Sequence, residues 1–240
     1  MKLEYLDWDS HFFQLKTGRV TLDPGDQSDD LKRIVQENPS FKLLYVFSLE
    51  DNLGVDLLPH CFLVDRKVTY LYQADENTIY PVSSLGPDFD ICSFEGENIP
   101  ADLECLALQS GAYSRFRIDP FFSNDAFVRL YKTWIENSVL RKICDDVFVV
   151  KSNAKIVGFV TVKYLSNYCK IGLIAVDPNY RGKGIGTMLI QTVVRTALGK
   201  GIFKVFVDTQ LDNELACLFY EKNNFTANQV HYIYHYWNNL

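Results

Sequence analysis

Apolar residues in this chain fall into two patterns, and the breaks between them set the expected elements. Short runs of strand formers occupy residues 18–22, 41–49, 171–176 and 204–207. A further strand is expected over 229–237, where Tyr232, Tyr234 and Tyr236 alternate. Segment 62–72 carries the same signal, interrupted by Asp65-Arg66-Lys67, and reads as two strands around a charged turn. Runs at 147–150 and 157–163 flank Ser152-Asn153 and predict a hairpin. Elsewhere apolar positions recur every three or four residues. Ile185, Met188, Leu189, Val193 and Ala197 predict a helix with one buried face, punctuated by Gly199 and Gly201. Leu215, Leu218 and Phe219 predict another, with Asn224 placed for a left-handed C-cap. Residues 127–140 read as helix, as do 28–36, where Ser28 is the expected cap and Asp29 and Asp30 suit the first turn. Residues 74–101 are rich in turn formers and read as a connection, and a new unit begins at 103–111.

The chemistry concentrates where the 171–176 strand stops. Asp177-Pro178 breaks it, because proline lacks a ladder donor and pushes its predecessor out of the helical region. Arg181-Gly182-Lys183-Gly184-Ile185-Gly186 follows and leads into a helix. Alternating glycines let the backbone fold tightly and approach a ligand. The free N–H groups of a helix start, with the macrodipole and two basic side chains, suit an anionic phosphate. Two common phosphate loops do not fit. Lys183 is followed by Gly184 where a P-loop needs Ser or Thr. The spacing Gly-x-Gly-x-Gly, late in the chain, departs from the dinucleotide fingerprint.

The pattern Arg181-x-x-Gly184-x-Gly186, followed by Val207-x5-Asn213-x-x-Ala216-x3-Tyr220-x4-Phe225, resembles the GCN5-related N-acetyltransferase (GNAT) superfamily over residues 171–225. Asn224 stands where many members carry glycine and tolerates the same backbone conformation. The resemblance implies an α+β fold, with a mixed twisted sheet flanked by helices over 101–240 and a smaller N-terminal α/β domain with its linker over 1–100. It implies acetyl-CoA as co-substrate. Arg181, Gly182, Lys183, Gly184, Ile185, Gly186 and Thr187 would cradle its pyrophosphate. Leu173, Ile174, Ala175 and Val176 would lie along the pantetheine arm, with an N–H near Leu173 or Ile174 polarising the thioester carbonyl. Asn213 would contact the pantetheine, and Tyr220 would protonate the departing thiolate. A tyrosine of ordinary pKa near 10 is protonated at neutral pH, as that role requires.

The remaining features bear on the acceptor and the setting. The net charge of −6 argues against a nucleic-acid partner. No apolar run is long enough to span a bilayer, and Met1-Lys2-Leu3-Glu4 shows no secretory pattern, so a cytoplasmic protein is expected. Six dispersed cysteines read as reduced buried thiols. His231 and His235 sit on a strand pattern, so no metal is expected. Leu6-x-Trp8-Asp9-Ser10-x-Phe12-Phe13, Ser114-Arg115-Phe116 and Tyr131-x-x-Trp134-Ile135-Glu136-Asn137-Ser138 resemble the bacterial TDP-fucosamine N-acetyltransferases. That implies a nucleotide-linked amino sugar as acceptor. Trp8, Phe12, Phe13 and Trp134 read as core. Arg115 would pair with a nucleotide phosphate or be an ordinary surface cation. Glu136 and Asn137 would bind the amine or its proton, or form a solvated helix face. Asp119 and Asp208 are alternative proton acceptors. Acetylation of another small amine or a peptide, a non-catalytic acyl-CoA-binding role and a homodimer stay open.

Overall fold

The computed structural model describes residues 1–26, 28–51, 58–75, 78 and 86–238. Part of the expected 74–101 connection lies outside the described residues. Strands β1 (Lys2–Tyr5), β2 (Thr17–Thr21) and β3 (Leu43–Ser48) open the chain, with helices α1 (Asp7–Phe13) and α2 (Ser28–Glu37) between them. Strands β4 (Cys61–Gln73) and β5 (Asp90–Ser93) follow, then helices α3 (Ala101–Ser110), α4 (Arg115–Ile118) and α5 (Asn124–Val139). The order closes with β6 (Asp146–Ser152), β7 (Lys155–Tyr164), β8 (Cys169–Val176), α6 (Ile185–Gly199), β9 (Lys204–Gln210), α7 (Glu214–Lys222) and β10 (Thr226–Trp237). Local chemistry explains several boundaries. Ser114 and Ser123 accept the Phe116 and Ala126 N–H groups and cap α4 and α5. Asn153 and Ala154 both take positive φ in the two-residue turn from β6 to β7. Asn224 adopts φ 64° after α7, as a left-handed cap requires.

All ten strands form one mixed sheet in the order β1-β2-β3-β10-β4-β9-β8-β7-β6-β5. Strand β4 therefore sits at the centre, antiparallel to both β10 and β9. The two strands expected over 62–72 are one. Asp65 pairs with Ile233, and Lys67 pairs with His231 on one side and Gln210 on the other. Ladder bonds on both edges override the turn preference of the charged triplet. A register shift opposite Ile233/Tyr234 leaves Val64 as an extra residue and turns both Phe62 and Asp65 toward one face. The expected connection also contains β5, which edges the sheet against β6.

Side-chain alternation divides the sheet into two faces. On one, α6 and α7 cover Val68, Tyr70, Val160, Val162, Val205 and Val207. On the other, α3 and α5 cover Val147, Val149 and Phe159, while α1, α4 and α5 cover Leu43, Tyr45 and Trp237. Helix α1 turns Phe13 onto Phe116 and Phe122, with ring centroids at 5.5 and 4.8 Å. Trp8 is not core: it is 44% exposed and stacks on Phe12 at the rim. On the helix Trp8 is farther round from the inward Phe13 than Phe12 is, so its ring falls at the solvent edge of the stripe. The cysteines are free, but only Cys61, Cys144 and Cys169 are buried; Cys105 is exposed and Cys92 and Cys217 are half-buried.

Two polar arrangements hold this frame. Asp119, after α4, pairs with His235 Nδ1 at 2.6 Å and accepts from Trp237 Nε1 at 2.9 Å. All three residues are buried, so the contact ties α4 to β10 through more than a hundred residues of chain. Burial pushes the His235 pKa down to about 4, against the Asp119 hydrogen bond that raises it. The second arrangement is a bulge. Gly172 and Leu173 of β8 together face Thr161 of β7, and the Leu173 N–H bonds Thr161 Oγ1 at 2.8 Å. A Cβ on Gly172 would lie 2.7 Å from that oxygen, which explains the glycine. The bulge bends β8 away from its other neighbour. Only Cys169, Lys170 and Ile171 pair with β9, and the rest of β8 splays from Asp208–Gln210.

Two stability predictions follow from these contacts. Asp119→Ala strands the His235 and Trp237 donors in the core and should cost about 3 kcal/mol or more in urea unfolding. The unfolded chain takes the His235 proton first, so wild-type stability should fall as pH drops from about 6.5 toward 4. His235→Gln should flatten that slope in the same titration. Thr161→Val leaves the half-buried Leu173 N–H without its acceptor and should cost about 1 kcal/mol.

Candidate active site

The loop before α6 forms an N–H cradle. Val176 ends β8, and the Asp177 carboxylate accepts the Asn179 N–H at 2.9 Å and pairs with Lys155 at 2.7 Å. A single 3-10 turn, Pro178–Tyr180, follows. Gly182 and Gly184 then take φ of 76° and 82°, a region that side-chain-bearing residues avoid. Gly184 is the N-cap of α6. Met188 is the first residue of α6 whose N–H returns to the turn, at 3.0 Å from Gly184 O. The N–H groups of Ile185, Gly186 and Thr187 precede it and so lack intrahelical acceptors. Gly186 lets the helix start pack closely on Phe219, since a Cβ there would lie 3.0 Å from that ring. Arg181 and Lys183 are exposed beside the loop, Lys183 lying 4.9 Å over the Tyr180 ring. The arrangement fits a pyrophosphate by backbone donors, dipole and charge together.

The splay supplies an open strand edge beside the cradle. The Leu173 and Asp177 N–H groups face β7, bonding Thr161 Oγ1 and Val157 O. By strand alternation, Ile174 and Val176 turn their N–H and C=O groups the other way, into the gap. Arg181 Nε donates to Val176 O at 3.2 Å, which agrees with that direction. The Leu173 N–H is thus already bonded, and of the two expected donors Ile174 is the one aimed into the gap. The half-buried Ala175 packs toward the α3 side. Across the gap, α7 starts at Asn213, whose side chain accepts the Ala216 N–H at 3.3 Å as an N-cap. Tyr220 is 3% exposed, among Tyr70, Phe219 and Phe225. Burial pushes its phenol well above the ordinary value, with Cys217 and Asp208 adding to the shift, so it stays protonated.

The opposite face of the gap carries a polar groove. Asp208 accepts from Thr69 Oγ1 at 2.6 Å and pairs with Lys170 at 2.9 Å and Lys67 at 3.5 Å. Burial raises its pKa, but Lys67, Thr69 and Lys170 outweigh that and hold the carboxyl below the usual range. A cavity of about 430 Å³ continues from these residues, lined also by Lys204, Tyr168, Phe206 and Asn228. Tyr168 and Phe206 meet edge to face at 5.4 Å. Farther along the same face of the sheet, Arg115 lies over the Tyr45 and Phe116 rings at 4.9 and 4.6 Å. Asp65 is 6% exposed and its Oδ1 has no hydrogen-bond partner. Arg115 Nε and His231 Nδ1 are likewise buried without partners. Glu136 is exposed and Asn137 half-buried; Tyr131 and Trp134 are the α5 side chains that meet Arg115's surroundings. Asp119 is enclosed with His235, away from solvent.

Thr161 and Asp65 carry no signal in a spacing motif. A threonine among strand formers looks ordinary until the bulge is seen, and Asp65 was hidden in a triplet that reads as a turn. Among the described residues, no group of three or more His, Cys, Asp or Glu side chains is arranged to hold a metal, and no helix is long and apolar enough to cross a membrane.

Comparison with known proteins agrees with this geometry. The acetyltransferase (GNAT) family model matches residues 107–225. The chain is 26% identical to the spore coat polysaccharide biosynthesis protein SpsD of Bacillus subtilis, over 96% of this chain and 81% of that protein. It is 31% identical to the dTDP-fucosamine acetyltransferase of Escherichia coli, over 61% of this chain and 62% of that one. An uncharacterized N-acetyltransferase of Methanocaldococcus jannaschii is 32% identical over 76% of this chain and 83% of its own length. Among solved structures, a putative GNAT acetyltransferase from Novosphingobium aromaticivorans superimposes with a TM-score of 0.56 at 15% identity, covering 99% of this chain and 89% of that one. The chain belongs to the GNAT family and is an acetyltransferase.

Proposed function

We propose that this enzyme acetylates the amine of a nucleotide-linked amino sugar of the dTDP-4-amino-4,6-dideoxyhexose type, using acetyl-CoA. The observation that carries the acceptor is the groove beside Asp208. Lys67, Lys170 and Lys204 set three cations against one carboxylate, as a diphosphate needs. Tyr168 and Phe206 offer faces to a base, and Asn167 and Asn228 offer amides to its edge. The volume suits a small-molecule site. The dTDP-fucosamine and spore coat polysaccharide relatives support the same class.

The division of labour follows from the two faces. The cradle residues 181–187 hold the pyrophosphate of the co-substrate on the α6 side. Ile174 and Val176 pair with the amide-bearing arm along the open edge of β8. The Ile174 N–H polarises the thioester carbonyl, a contact worth about 3 kcal/mol when oxyanion charge develops. Asn213 fixes the start of α7 and so the placement of Tyr220, which donates its proton to the departing sulfur. The acceptor amine enters from the groove on the α5 side and attacks the acetyl carbon directly. Acetyl-CoA and acceptor thus approach from opposite faces and meet at the splay.

Tyr220→Phe should lower kcat roughly 10²-fold or more while acetyl-CoA binding, followed calorimetrically, stays within about twofold. Undiminished turnover where chemistry limits the rate would remove Tyr220 from the acid role. For the acceptor, purified enzyme would be given acetyl-CoA with a panel of dTDP- and UDP-amino sugars and simple amines. Mass spectrometry should show a single added acetyl group on a dTDP-amino sugar. Acetylation of simple amines alone would overturn the sugar reading, and no transfer to any amine would leave only acyl-CoA binding.

A further inference from the structure

Buried polar atoms are almost always hydrogen-bonded, so the exceptions ask for an explanation. Among those on this face are Asp65 Oδ1 on β4, Arg115 Nε at the start of α4, and His231 Nδ1 and His235 Nε2 on β10. The Phe47 ring lies 5.9 Å from the Arg115 guanidinium and 6.3 Å from His231. Strand pairing sets Phe47 beside Ile233 and Ile233 beside Asp65 in one row across the sheet. Arg115 does not form an ion pair with Asp65 within 4.0 Å; it lies on aromatic rings instead. Gln210 hydrogen-bonds the Asp65 carboxyl but leaves Oδ1 without a donor, and a cationic amine would bring one.

We propose that Asp65 is the proton acceptor for the substrate amine, with the ammonium group binding against Asp65 Oδ1 before it loses its proton. This rests on the reading of the groove as the acceptor site for an amine. Other carboxylates on this face are already committed. Asp208 has three partners and is held ionised, Asp119 is enclosed with His235 and Trp237, and Glu136 is exposed. Asp65 also neighbours Gln210, the last residue of β9 at the open end of the splay. Four residues of β4 separate it from Thr69 in the lysine groove, about 13 Å along the strand. That span leaves room for a sugar and diphosphate between the amine and the base-stacking rings.

The proton count closes. Asp65 takes one proton from the ammonium nitrogen, whose lone pair then bonds to the acetyl carbon as the C–S bond breaks. The electron pair of that bond goes to sulfur, which receives the Tyr220 proton. A second nitrogen proton restores Tyr220, the third stays in the amide, and Asp65 releases its proton to solvent.

Burial pushes the Asp65 carboxyl up to about 6, against Arg115, Gln210 and Lys67 which lower it, while Asp212 raises it. Tyr131 from α5 and His231 from β10 also face this site, and Asp9 and Tyr45, bonded to each other at 3.2 Å, reach it through Arg115. A base near pH 6 is well poised for work at neutral pH.

The test is Asp65→Asn in the full chain, assayed with whichever amine the wild type acetylates. The expected result is a kcat lower by roughly 10²-fold or more, acetyl-CoA binding unchanged, and loss of the acidic limb of the kcat/KM profile near pH 6. The deficit should narrow at alkaline pH, where the amine arrives neutral. A second readout is independent of turnover. Because the folded state raises this pKa, ionised Asp65 disfavours folding above pH 6, so the variant should be more stable than wild type at pH 8 and lose that advantage as pH falls from about 6 to below about 4. Full activity with an unchanged acidic limb would overturn the proposal and leave the acceptor reading standing. Equal loss of acetyl-CoA binding would also overturn it, by marking a structural role. If only non-sugar amines are acetylated, the sugar reading falls while the same variant still tests Asp65.

Discussion

The bulge at Gly172 and Leu173 is the constraint on which the active site depends. One extra residue in β8 spends the Leu173 N–H on Thr161 and bends the strand off β9. Without it, β8 would continue its parallel ladder with β9 beyond Ile171, and the Ile174 and Val176 backbone groups would be saturated. With it, the sheet keeps a cleft whose walls are held by full ladders on their outer sides, β7 against β8 and β4 against β9. Paired walls on both outer sides hold the unpaired edge of β8 in place.

The second constraint is the position of β4. A strand from the first third of the chain lies between β9 and β10, so Lys67 and Thr69 line the groove beside Asp208 and Asp65 lies farther along the same strand. That face is therefore assembled from remote segments, whereas the glycine-loop cradle is built almost wholly from consecutive residues of β8, its loop and α6. The Asp119–His235–Trp237 contact anchors the remote half by fixing α4 on β10. Its full enclosure makes it a stability element, while Asp65 Oδ1 on the same face is enclosed without a hydrogen-bond partner.

Both halves show how function and stability pull apart. Asp65, Arg115 and His231 keep buried polar atoms unpaired, and the rings of Tyr45, Phe47 and Phe116 around Arg115 cannot satisfy its Nε. An apolar strand at the same place would fold more readily. The surrounding core of Leu43, Leu130, Tyr45 and Trp237 offsets that strain.

Sequence alone determined the features whose physics is local. The glycine loop, the helix it opens, the β6–β7 turn and the Asn224 cap all follow from residues a few positions apart, because positive φ, capping and periodicity act over that range. It also determined the family, through the spacing from Arg181 to Phe225. Tertiary structure decided the rest. It made 62–72 one strand, because ladders on both edges outweighed a charged triplet. It chose Ile174 over Leu173 as the free donor, because a hydroxyl twelve residues away claimed the other. It left Trp8 at the rim and drew Asp65 inward, because burial depends on which segments pack together across the sheet, and contacts such as Thr69 with Asp208 join residues 139 positions apart.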